Sequence, residues 1–83
     1  MQEVGHFRAN LKLALAVKGI SQGALAIRLD TSRPYVNRIL NGNVEPSLSA
    51  CMKVADTIGI PLRDLLIEPE AFRNIVTPRE AAS

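Results

Sequence analysis

Arg33, Pro34, Asn37, Arg38 and Asn41 recur at intervals of about one helical turn, which places them along one edge of a helix. Val36, Ile39 and Leu40 fall on the opposite edge and form an apolar strip. A helix with one seated face and one cationic, hydrogen-bonding face is suited to the edges of bases in a DNA major groove. A guanidinium can donate two hydrogen bonds to guanine O6 and N7, worth roughly 1–3 kcal/mol of discrimination per pair. Arg33 and Arg38 are therefore the expected base readers, with solvated surface charge or phosphate contact as the alternative for each. Pro34 has no donor to offer but can pack on a thymine methyl.

The flanking residues supply position rather than sequence reading. Gln22, opening the preceding helix, is expected to hold backbone phosphate with its side chain and the N–H groups beside it. Ser32 is a helix cap and a second candidate for a DNA contact. Tyr35 flanks the polar face and suits either phosphate, a base methyl or the edge of the core. His6 has no second histidine and Cys51 no neighbouring cysteine, so no metal site, cofactor or catalytic residue is expected. Cys51 reads as a small core residue.

These residues need a scaffold, and the chain has room for one. Its 83 residues, 47 % hydrophobic but only 4 % aromatic, allow a single domain with a modest aliphatic core and no deep catalytic cleft. No apolar run is long enough to span a membrane, the N-terminus lacks a signal-peptide pattern, and a lone cysteine suits a reducing compartment. Together these predict a cytoplasmic protein. The net charge of +2 is uneven: residues 1–43 carry six basic and two acidic residues, residues 44–83 four basic and six acidic. A basic half would steer a polyanion onto one side.

Punctuation predicts five helices and no strand. The first spans about Val4 to Lys18, with Val4, Phe7, Leu11, Ala14 and Leu15 on its buried face, and Gly19 closing it. Ser21 caps a helix over Gln22 to Leu29, and Asp30 occupies the turn. Ser32 caps the next, with Pro34 in its first turn, ending at Asn41-Gly42-Asn43. Ser47 caps a fourth, with Leu48, Cys51, Met52, Ala55 and Ile58 at core spacing and Gly59 ending it. Pro61 opens a short fifth helix to Leu66. Residues 1–66 are thus expected to form an all-α, compact five-helix domain, and 67–83 a tail. In that tail Phe72, Ile75 and Val76 form one face of a short helix that covers the core or meets a second subunit, with disorder after Pro78.

The segment SQGALAIRLDTSRPYVNRILNGNVEPSLSACMKVADTIGIPLRDLL resembles the Xre family, the helix-turn-helix class of phage repressors, Cro proteins and small bacterial regulators. The marks are Ser21-Gln22, Leu25-Ala26, Ser32-Arg33, Asn41-Gly42, Pro46-Ser47 and the closing Ile60 to Leu66. The resemblance implies a phage-repressor-like fold, sequence-specific binding to double-stranded DNA and phosphate roles for Gln22, Asn41 and Asn43. It also implies a homodimer on a palindromic operator, acting as a repressor, its own gene among the targets. Leu62, Leu65, Leu66, Phe72, Ile75 and Val76 are the candidate dimer contacts. An antitoxin that binds a toxin protein as well as its own promoter is the alternative, a restriction-modification controller a weaker one. Three positions depart from the pattern. Asp30 replaces a frequent Gly; Leu15 and Leu40 replace an Arg–Glu ion pair and are expected to touch; Pro34 replaces a polar reader.

Overall fold

The computed structural model describes the backbone of residues 2–77 and the side chains of residues 5–77. Six helices follow one another: α1 (Gln2–Lys18), α2 (Gln22–Arg28), α3 (Arg33–Asn41), α4 (Leu48–Ile58), α5 (Leu62–Leu65) and α6 (Pro69–Val76). The described residues contain no strand. The expectations for Val4 and for the residues after Pro78 lie outside them.

Serine hydroxyls start three of the helices. Ser21, Ser32 and Ser47 each hold an extended backbone and accept a hydrogen bond from the third residue onward: Ala24 N at 3.0 Å, Tyr35 N at 3.2 Å and Ala50 N at 3.1 Å. Each cap satisfies an amide that the helix itself leaves without a partner. Proline sits in the first turn of α3 and of α6, where no N–H is needed.

The turn between α2 and α3 decides where the cationic face points. It closes α2 with paired bonds, Asp30 N to Ile27 O at 3.1 Å and Thr31 N to Ala26 O at 2.9 Å. This is a Schellman arrangement, whose pivot must be left-handed. The pivot is Asp30, with φ of 59°, so an L side chain stands where glycine is cheapest. Left-handed backbone costs an ordinary L-residue about 1–2 kcal/mol, Asp less than most. Asp30→Gly removes that strain and gives back part of the gain as unfolded-chain entropy. The expected net effect is a stabilisation of about 0.5 kcal/mol, read as a rise of about 2–4 °C in the thermal midpoint.

The core is aliphatic, with Phe7 and Phe72 as its aromatic members. Phe7, Leu11, Ala14 and Leu15 of α1 are buried as their spacing predicts, and so are Leu25 and Ala26 of α2 and Val36, Ile39 and Leu40 of α3. Leu15 and Leu40 are both buried and line the same shallow depression.

One expectation needs correction. Leu48 and Met52 are 69 % and 51 % exposed; the buried face of α4 is Val54, Ala55 and Ile58, with Cys51 half-buried at its edge. Burial pushes the Cys51 thiol above its ordinary pKa. Of the two readings of the tail's apolar face, covering the core or meeting a second subunit, Phe72 takes the first. α6 packs on α1 and inserts Phe72 at 0 % exposure, so the folded unit extends past residue 66 to include α6.

The link into α6 is tied down by α1. Asn10, 1 % exposed, donates from Nδ2 to Leu65 O at 3.0 Å and to Ile67 O at 2.8 Å. One turn earlier, His6 Nδ1 lies 3.3 Å from Leu66 O, a bond that needs the proton on Nδ1. Two side chains of one helix face therefore bind three consecutive carbonyls. Asn10 Oδ1 is buried without a partner among the described residues.

Candidate nucleic-acid interface

α3 is held from three sides. Val36, Ile39 and Leu40 anchor it in the core, and Ser32 caps its first turn. Gly42, at φ of 82°, closes its last turn with Gly42 N to Ile39 O at 3.2 Å and Asn43 N to Arg38 O at 2.9 Å. Arg33, Pro34, Asn37, Arg38 and Asn41 are all exposed. The structure thus brings the five polar-edge residues to one open surface of a rigid helix.

A hydrogen-bonded row runs across that surface. Asn37 Nδ2 donates to Gln22 Oε1 at 3.2 Å, and Asn41 Nδ2 donates to Asn37 Oδ1 at 2.9 Å. Only Gln22's acceptor oxygen is used, so both hydrogens of its Nε2 remain for an anionic oxygen. The row links the first residue of α2 to the last residue of α3 and fixes amide orientations that would otherwise be free. Asn37 is engaged on both sides, which makes it a spacer between Gln22 and Asn41 in the absence of DNA.

The remaining expected residues separate by exposure. Asn43 is exposed, its backbone N–H committed to the α3 cap. Ser32 is exposed, its oxygen committed to Tyr35 N. Tyr35 is half-buried in a notch with Leu29, Thr31, Ile39 and Val54, a position that suits the core edge over a free base contact. Lys12 of α1 shares with Gln22 and Asn41 the rim of the depression beside Leu15 and Leu40. Arg8, also on α1, donates from Nε to Ile39 O at 3.2 Å. Neither α1 cation was legible in sequence, because each looks like ordinary solvated charge on a first helix.

Residues 11–65 match the helix-turn-helix family model of Xre and phage repressor-like regulators, from the middle of α1 to the end of α5. The chain belongs to that family. No curated protein and no solved structure matches it at a significant level. This helix-turn-helix protein is accordingly a DNA-binding transcription regulator, of a family that comprises regulators rather than enzymes. Among its described residues no helix is long and apolar enough to cross a membrane.

Proposed function

We propose that this regulator is a dimeric repressor that reads a palindromic operator with α3, blocks promoter access and acts on its own gene. The observation that carries the reading is the exposed edge of α3, where Arg33, Pro34, Asn37 and Arg38 are presented by a helix seated through Val36, Ile39 and Leu40. Arg33 and Arg38 read guanine edges, and Pro34 packs on a thymine methyl. Gln22, Ser32, Asn41 and Asn43 grip phosphate and set register. Two such helices spaced about 34–36 Å apart would lie on one face of the duplex.

Of the six candidate dimer residues, Leu65 and Phe72 are at 0 % exposure within the single chain and drop out. Ile75 is exposed, and Leu62, Leu66 and Val76 are half-buried. The dimer contact is therefore assigned to the outer edge of α5 and α6. The antitoxin alternative loses part of its support for the same reason, since Phe72 is spent in the core and Ile75 is the large apolar side chain α6 leaves exposed.

Binding to the DNA upstream of the protein's own gene, measured by mobility shift at two salt concentrations, tests the reading. Arg33→Ala and Arg38→Ala are each expected to cost about 1–3 kcal/mol, roughly 5- to 150-fold in affinity, and to relax preference at separate base positions. Wild-type affinity should fall steeply with salt. Weak binding, indifferent to sequence and to both substitutions, would transfer the case to the antitoxin reading.

A further inference from the structure

We infer that Arg8 of α1 is a positioning residue for operator reading, one that fixes the last turn of α3 rather than touching DNA; the inference rests on the reading of α3 above. Two features place it there. Its Nε donates to Ile39 O at 3.2 Å, a carbonyl near the helix end that also accepts Gly42 N. Its guanidinium also lies against Gly42: a Cβ built at that residue would stand 3.3 Å from both Cζ and Nε of Arg8. Gly42 therefore meets the need for a left-handed φ of 82°, and a side chain there would press the arginine back by a few tenths of an ångström.

The physical consequence follows from where the carbonyl sits. The last carbonyls of a helix carry partial negative charge and lack intrahelical donors, so a cation that donates to one of them stabilises that end. Arg38 and Asn41 belong to this same last turn, and Asn41 closes the hydrogen-bonded row to Asn37 and Gln22. Arg33 sits at the other end, under the Ser32 cap. Loosening Arg8 should therefore disturb what Arg38 does and leave Arg33 in place.

A double-mutant cycle separates this from the rival roles, using as probe a duplex selected by the wild-type protein from a randomised pool. Arg8→Ala is expected to weaken binding about tenfold, the loss of one charge-assisted hydrogen bond. Adding Arg38→Ala to it should cost clearly less than Arg38→Ala costs alone, whereas Arg33→Ala should keep its full effect. Arg8→Lys keeps the charge but not the planar fork and is expected not to restore affinity. The slope of log affinity against log salt should stay at the wild-type value.

Three results overturn the inference. One is additive effects with both arginines, and a slope reduced by about one beside them would mark Arg8 as a phosphate contact. Another is full rescue by lysine, and the third is wild-type affinity in Arg8→Ala. Thermal midpoints of the variants show whether each is folded, and Arg8→Lys carries the test if the alanine variant is not. Failure of the wild-type protein to select any duplex, or selection insensitive to Arg33→Ala, refutes the reading of α3 itself and is distinguishable from all three.

Discussion

Replacing Phe72 by alanine is expected to cost about 3–5 kcal/mol of stability, the range for emptying a buried aromatic site. The ring is at 0 % exposure and belongs to the same apolar cluster as Phe7, Leu11 and Leu65. Small domains have about 5–15 kcal/mol in total, so the loss is a large share of the stability. Urea unfolding, with the thermal midpoint followed at several protein concentrations, checks this. If Phe72 served mainly to join two subunits, the loss would shrink on dilution and the monomer would be as stable as before. A loss independent of concentration is the expected result, because every contact of the ring is intramolecular.

The placement of Phe72 shows where the sequence was informative and where it was not. Pro69, Pro78 and the spacing of Phe72, Ile75 and Val76 indicate a short amphipathic helix, and α6 forms there. An apolar stripe has the same period whether it meets its own core or another chain, so burial could not be assigned from spacing alone. α4 failed for a related reason. Its sequence, LSACMKVADTI, is apolar on more than half of its circumference and fits two phases. One phase buries Leu48 and Met52 and the other buries Val54, and long-range packing selects the second. Signals that act within a few residues were read correctly. These are the three serine caps, the left-handed Asp30 and the glycine after α3, each governed by local backbone geometry. The candidate site was legible to the extent that it is one helix edge. Arg8 was not, because its role depends on a carbonyl 31 residues away, a separation no local pattern reports.

Asn10 is the second position with a large expected effect, and the sequence least suggests it. A polar residue within the apolar spacing of α1 reads as an exposed position, yet its amide is buried and binds the carbonyls of Leu65 and Ile67. Leu65 ends a four-residue helix too short to satisfy its own acceptors, and Ile67 lies two residues beyond it. Asn10→Ala leaves both without their donor, at about 1–3 kcal/mol for each acceptor that water cannot reach. Removing Oδ1, itself buried and unpartnered, offsets part of this, so a net loss of about 2–3 kcal/mol is expected. Asn10→Leu fills more of the space but still supplies no donor. Asn10→Asp keeps the shape, sets a carboxylate against two carbonyls at neutral pH, and should be the least stable of the three. Urea unfolding gives the ranking, and amide exchange in α6 gives the location. The Leu65–Ile67 link carries α6, so the α6 amides should exchange by a local opening in Asn10→Ala before the rest of the domain unfolds. Wild-type stability in Asn10→Leu would show that the cost of burying Oδ1 cancels both hydrogen bonds. The asparagine would then hold the direction of the chain into α6 without adding to its stability.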